Sequence, residues 1–413
     1  MIKFLNKYFD PRHDYIMLGF AIMFSSTTFG LAANSGLIRF AALVGGFLIC
    51  AYSLYKNLLK NPHKYLKFVI IISFIWAVLL GLSFVLNHMI FYPYLNRQFL
   101  IFWGINYIML IAGYFIGINA LKNVHGMTFN MRYVIPTLAC LTALLYFLFF
   151  RDQIAYLGLR RSTDDLGNPV GMAYIFGTLS IFSFCAFLYA KNLIQLAISA
   201  FAIMISVGCI ILVQTRGALI YLSISLILML LLAFAKGGRS EINKLKIIRN
   251  LSFGAIGLIP GILFIRGGAF IERFISYIER MLAIFQSTAT QGTVDVTTNN
   301  RLETWNLALE SILNHWLIGS PFYNYYPHNN FLELCLRFGL VGFILFLAII
   351  YFMGRFYFIL LKLRTVNYYM LIFFGLLTFS FMQHLTSLSF DINRTFYFAL
   401  GFSIGFAKIS RYY

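Results

Sequence analysis

Apolar runs of spanning length recur along the chain at about 15–33, 37–55, 68–87, 99–118, 133–150, 170–190, 193–213, 218–235 and 251–266. Three more follow a long interruption, at about 329–351, 368–388 and 392–407. Each is close to the ~20 residues that carry an α-helix across a hydrocarbon core. The pattern predicts an all-α, polytopic membrane protein with about twelve transmembrane helices. Its parts are residues 1–266, holding helices one to nine, a loop over 267–328, and residues 329–413, holding helices ten to twelve.

Composition agrees. Of the 413 residues, 61% are hydrophobic and 11% charged, against about 45–50% and about 25% in soluble domains. A water-soluble enzyme is excluded, and so is a disordered or fibrous chain. The net charge of +19 would suggest nucleic acid in a soluble domain. In a membrane protein, Lys and Arg first serve to hold loops in the cytoplasm, so no nucleic-acid partner is expected and membrane lipids are. Twelve spans put both termini on one side, and all thirteen lysines fall there too. That side is the cytoplasm by the positive-inside rule. No small-residue cleavage site follows the first apolar run, which reads as a retained helix of an inner-membrane protein. Cys50, Cys140, Cys185, Cys209 and Cys335 lie in apolar runs without CxxC or Cys/His spacing, so they read as small buried hydrophobes and not as a metal site or disulfide framework.

The opposite, periplasmic face has arginine but no lysine. Arg39, Arg97, Arg151, Arg160, Arg161, Arg216, Arg266, Arg273, Arg280, Arg301 and Arg394 fall on it or near it. A guanidinium grips phosphate oxygens two at a time, which a lysine cannot do. The loop over 267–328 is too long for an idle connection. Its three arginines against five acids make it no general basic patch, so an anion there must be met by placed side chains. Residues 269–285 have the apolar face of a helix that lies in the membrane interface or packs against the bundle, beside the outer leaflet in either case. Further on, Leu302, Trp305, Leu309, Ile312 and Trp316 recur at helical spacing. This predicts a second amphipathic helix, capped by Asn300 with Glu303 three places later, and ended near Gly319 and Pro321. Arg301 would then sit in the first turn, where free N–H groups favour an anion.

A few residues could carry chemistry. His328 opens the tenth helix at the outer water boundary, where a neutral imidazole can accept a proton from a hydroxyl. Thr215-Arg216-Gly217 lies at the tight junction of helices seven and eight, and a charge so placed is a functional candidate. Glu333 and Arg337, one turn apart, should pair; Asp391 and Arg394 admit the same reading. His384 lies in an apolar run, where satisfied packing is the default. There is no DxD motif, no P-loop and no GxSxG, and the first outer loop, Asn34-Ser35-Gly36, has no acid. A metal-dependent, carboxylate-based mechanism is disfavoured, and neither metal nor cofactor is expected.

The ordered set Gln214-Thr215-Arg216-Gly217-Ala218-Leu219, Asn300-Arg301-Leu302-x-x-Trp305, Gly319, and His328-Asn329 through Gly339 and Gly342 resembles the O-antigen ligase/polymerase superfamily. The resemblance covers most of the C-terminal half, including the long outer loop, and Gly167-Asn168-Pro169-x-Gly171-Met172-Ala173 before helix six shares it. It implies a membrane glycosyltransferase, metal-independent, with an undecaprenyl-diphosphate-linked glycan as donor. It also implies that Arg216 and Arg301 engage the donor diphosphate and that His328 acts at the acceptor hydroxyl. Arg160, Arg161, Arg394, Glu333 and Asp391 are accessory candidates. The acceptor would be lipid A–core for a ligase or a second lipid-linked glycan for a polymerase. The Arg160–Ala173 and Gln214–Leu219 stretches look more like enterobacterial-type ligases, and the short segment from Gly319 to His328 leaves room for a polymerase. A transporter or flippase of lipid-linked sugars is the reading from a different class. It would want midplane carboxylates, and only Glu333, with Arg337 beside it, comes close.

Overall fold

The chain folds as α1 (Asp14–Ala32), α2 (Gly36–Lys60), α3 (Pro62–Met89) and α4 (Arg97–Asn119), then a π-helical turn (Asn130–Val134) that runs into α5 (Ile135–Leu157). There follow α6 (Pro169–Leu188), α7 (Leu193–Leu212), α8 (Arg216–Lys236), α9 (Val296–Asn314), α10 (Asn330–Lys362), α11 (Tyr368–His384) and α12 (Arg394–Ile409). This computed structural model describes residues 14–32, 35–60, 62–89, 97–120, 127–157, 169–213, 215–236, 244–252, 296–320, 327–386 and 393–409. Among them all regular structure is helical, with a further helical stretch over 244–252.

Among the described residues, six helices are long and apolar enough to cross a membrane: Gly36–Lys56, Asn130–Leu148, Val170–Leu188, Leu193–Leu212, Gly217–Lys236 and Asn330–Lys362. Each coincides with one of the twelve predicted runs. Three other runs correspond to the shorter apolar helices Tyr15–Gly30, Tyr65–Leu79 and Trp103–Asn119. The last two correspond to α11 and α12, of 17 and 16 residues. Residues 253–266 of the ninth run, and the amphipathic pattern over 269–285, lie outside the described residues. The helices are those of a multi-pass membrane protein.

The chain divides into two compact units. Unit 1 comprises Met1–Asn57, Ala120–Arg280 and Leu360–Phe379. Helix α6 is its most buried span, and Phe20, Phe24, Tyr174, Phe182 and Phe379 form a continuous set of ring contacts. Side chains tie several connections together at one end of this unit. Asn367 Nδ2 donates to the Ala120 carbonyl at 2.7 Å, Lys236 Nζ to that of Leu361 at 2.6 Å, and Arg249 Nη2 to that of Ala190 at 3.3 Å. The Tyr189 hydroxyl donates to the Val366 carbonyl at 3.4 Å, so Ala120, Tyr189 and Lys236 all meet the segment 361–367 there. The cysteines are all free, and all but Cys140 are buried. Cys50 and Cys209 donate to the carbonyls of Ile16 and Ala143, as expected of small buried side chains.

Unit 2 comprises Leu58–Asn119, Met281–Ile359 and Ser380–Tyr413. Its core is the seam between α4 and α12, where each helix has a pair of glycines four apart. A Cβ at Gly113 or Gly117 would strike the carbonyls of Phe398 and Phe402, and one at Gly401 or Gly405 those of Leu110 and Tyr114. The absence of four side chains lets two backbones touch, which is how helices associate where lipid removes the hydrophobic driving force. Phe356 packs edge-on against Phe402 and Phe406.

Helix α10 departs from the uninterrupted run predicted over 329–351. Gly339 (φ 53, ψ −129) breaks it into a buried arm before the break and a longer arm after it.

Candidate functional site around the start of α10

Helix α9 begins at Val296, one turn earlier than the sequence suggests. Asn300 is therefore inside the helix and is not its N-cap. Arg301 is in the second turn, beyond the four free N–H groups of a helix start, so the anion-binding argument from the helix end does not apply to it. The C-terminal end agrees with expectation: a turn over 315–318 leads to Gly319 with φ +98.

One face of α9 packs on the first arm of α10. Ala308, Leu332 and Leu336 are buried together, with Trp305, Ile312 and Phe331 against them. Arg301 precedes Trp305 by four residues and so shares this face; it is half-buried. The Trp305 indole N–H donates to the Pro327 carbonyl at 2.6 Å, which joins the helix bearing Arg301 to the residue before His328. The other predicted members of the apolar stripe, Leu302, Leu309 and Trp316, are exposed.

His328 has φ +50, the left-handed region in which non-glycine residues are uncommon. It stands before α10 and does not cap it. Asn329 does, its Oδ1 accepting from the N–H groups of Phe331 at 3.0 Å and Leu332 at 3.3 Å. The imidazole is thus held at a bend between the Trp305–Pro327 bond and the Asn329 cap, and is half-buried.

Two more polar groups sit on the first arm. Glu333, 0% exposed, pairs with Arg337 at 2.7 Å, the predicted ion pair. Asn330, 5% exposed, has neither Nδ2 nor Oδ1 hydrogen-bonded. Nothing in the sequence marks Asn330 as different from Asn329, because only the fold shows which amide is consumed by capping. An amide offering both a donor and an acceptor, two residues from an imidazole, suits a hydroxyl-bearing ligand.

The remaining candidates are placed as follows. Arg216 is the first residue of α8, in unit 1, with only Val213–Thr215 between it and α7. Arg394 opens α12 in unit 2 and is half-buried. Asn393 caps that helix through Phe396 N–H at 3.1 Å. His384 is buried with its ring 4.2 Å from that of Phe396, yet its Nε2 has no hydrogen-bond partner, so its packing is not the satisfied one expected. Arg160, Arg161 and Asp391 lie outside the described residues.

No family model matches the chain, and no curated protein matches its sequence.

Proposed function

We propose that the chain is a glycosyltransferase of the bacterial inner membrane. It takes a glycan from undecaprenyl diphosphate and transfers it to an acceptor hydroxyl at the periplasmic face. The first reading is ligation to lipid A–core in lipopolysaccharide synthesis. The second is polymerisation of lipid-linked repeats, for which the short segment from Gly319 to His328 leaves room. The topology proposed with it has twelve spans, both termini in the cytoplasm and the 267–328 loop in the periplasm. The partition of lysines supports it, as do the contacts that gather the helix ends at Ala120, Tyr189 and Lys236 around residues 361–367 in unit 1.

The observation that carries the reading is the Trp305–Pro327 hydrogen bond, which ties the helix of one motif, bearing Arg301, to the other, bearing His328. In the proposed reaction the acceptor hydroxyl gives its proton to His328 as its oxygen bonds to the anomeric carbon of the donor sugar. The bond from that carbon to the diphosphate breaks, and undecaprenyl diphosphate leaves with the bonding pair. Arg216 and Arg301 stabilise the charge that grows on it.

The test is complementation of a deletion strain, read on a gel of surface glycolipids. Loss of all capped core, with accumulation of long lipid-linked glycan, means a ligase; core bearing a single repeat means a polymerase. Arg216→Lys and Arg301→Lys keep the charge but lose the bidentate fork, so neither should complement although both are expressed. An unchanged glycolipid pattern in the deletion strain would overturn the proposal.

A further inference from the structure

The break in α10 is closed by another part of unit 2. In an unbroken helix Leu340 N–H would donate to the Leu336 carbonyl. Here Leu340 N–H donates to the Leu317 carbonyl at 3.3 Å, and the Leu336 carbonyl accepts from Ser320 N–H at 2.7 Å. The elbow after α9 is thus spliced into the helix at its break. A Ser311–Ser320 hydroxyl bond of 2.7 Å and a Gly319 N–H to His315 carbonyl bond of 2.9 Å hold the elbow's shape. Backbone approaches backbone here: a Cβ on Gly319 would lie 2.7 Å from the Leu336 and Arg337 carbonyls.

This polar frame carries an apolar exterior. Leu313 is 75% exposed and Trp316 58%, and Leu317 and Ile318 are exposed beside them. Leu302 and Leu309 continue the stripe along α9, while Glu303, Asn306, Glu310 and Asn314, with one exposed leucine, Leu307, among them, occupy the neighbouring face. Six large apolar side chains on one stripe are not a soluble surface. The stripe also does not end at the elbow. Through the Leu317–Leu340 bond it meets the second arm of α10, whose exposed residues begin with Leu340, Val341, Phe343 and Ile344. That arm belongs to a helix long and apolar enough to cross a membrane, and its exposed apolar side chains suit a lipid environment.

We propose that the elbow Leu313–Ile318 is a membrane wedge, immersed in the leaflet in which α10 begins, and that α9 lies along the bilayer surface with its acidic face to water. The occupant of the apolar stripe is lipid. The exposed band of α10 and the elbow form one surface, tryptophan favours the level of the headgroups, and an amphipathic helix lies in that plane. The backbone irregularity at Gly339 is tolerable at this depth because its freed groups are bonded within the protein. The consequence is that Trp305, Arg301 and the residues they hold are fixed at a set height above the hydrocarbon.

Trp316 reports on this directly. Of the four tryptophans, Trp76 and Trp103 are buried and Trp305 is half-buried. The full-length protein is reconstituted in vesicles of phosphatidylcholine and phosphatidylglycerol, with lipids brominated near the top of their acyl chains. Emission of wild type is compared with that of Trp316→Phe, a conservative change at an exposed position. Most of the bromolipid-quenchable emission should vanish in the variant, and aqueous iodide should quench wild type weakly. Equal bromolipid quenching in the two proteins would overturn the proposal. Strong iodide quenching that disappears in Trp316→Phe would do so as well. So would a dimer in which Trp316 is shielded from both quenchers, since a second copy would then cover the stripe.

Discussion

Trp305 reaches across 22 residues of sequence to donate its indole N–H to the carbonyl of Pro327, at 2.6 Å. The acceptor is the residue before a non-glycine with φ +50. The bond therefore fixes the start of the bend that presents His328.

Trp305→Phe tests that relationship. The ring keeps its place against Ala308 and Leu332, and only the donor is lost. A hydrogen bond of this kind contributes about 0.5–1.5 kcal/mol net, so the melting temperature in detergent should fall slightly. The proposed transfer activity should fall much further, because the imidazole loses its fixed height. Activity falling only in step with stability would reduce the bond to packing.

Gly339→Ala should be strongly destabilising. Its Cβ would come within 2.6 Å of Gly319 N and the Leu317 carbonyl, at a φ of +53. Backbone strain and overpacking each cost on the order of 1–3 kcal/mol. Gly354 on the same helix has nothing within 4 Å of a Cβ, and Gly354→Ala should be neutral or stabilising by up to about 1 kcal/mol. Thermal unfolding of the two variants in one detergent decides it; similar losses for both would mean the elbow does not close the break.

Much of this region is legible in the sequence, for physical reasons that can be named. The i, i+4 spacing of Glu333 and Arg337 predicts their pair, and Gly319 predicts the end of the α9 segment. The break at Gly339 is not legible, since one glycine in an apolar run looks like any other until a second backbone is found against it. The start of α9 is misread because Val296, Thr297 and Thr298 are weak helix formers and the apolar period begins only at Leu302. The paired glycines of α4 and α12 are visible as a four-residue spacing. Their meaning needs the partner, nearly 300 residues away.

Arg337→Met should destabilise unit 2 by removing the partner of a fully buried carboxylate. Breaking a buried pair costs ~3–5 kcal/mol, and the 26% exposure of Arg337 puts the loss below that range. Glu333→Gln added to Arg337→Met should recover part of it, because no charge is then stranded. A double-mutant cycle by chemical or thermal unfolding measures the coupling; strictly additive losses would mean that the two side chains do not rely on each other.

Asn330→Leu separates a packing defect from a binding group. A buried amide without partners costs about 1–3 kcal/mol in desolvation, and leucine is of similar size, so the variant should melt higher than wild type. If the amide serves hydroxyls of a bound glycan, kcat/KM should fall although stability rises. Higher stability with unchanged kcat/KM would leave Asn330 no role in the reaction.

His328→Gly is a cleaner test of the proposed base than alanine, because the backbone there is left-handed. Alanine would keep that strain, and any loss would mix conformation with chemistry. Glycine adopts the conformation freely. The relief, of order 1–3 kcal/mol, offsets the side-chain contacts that leave with the ring, so the variant should unfold within about 1 kcal/mol of wild type. Turnover should nevertheless fall by ~10²–10⁴, the usual contribution of a general base. Binding of the lipid-linked donor should hardly change, since a base acts in the transition state and the proposed reaction leaves the donor to the arginines. Added imidazole should restore part of the rate by entering the space left by the ring. A glycine variant that loses donor binding in proportion to turnover would make His328 a diphosphate ligand. One that is inactive because it unfolds would make it a structural residue at the bend.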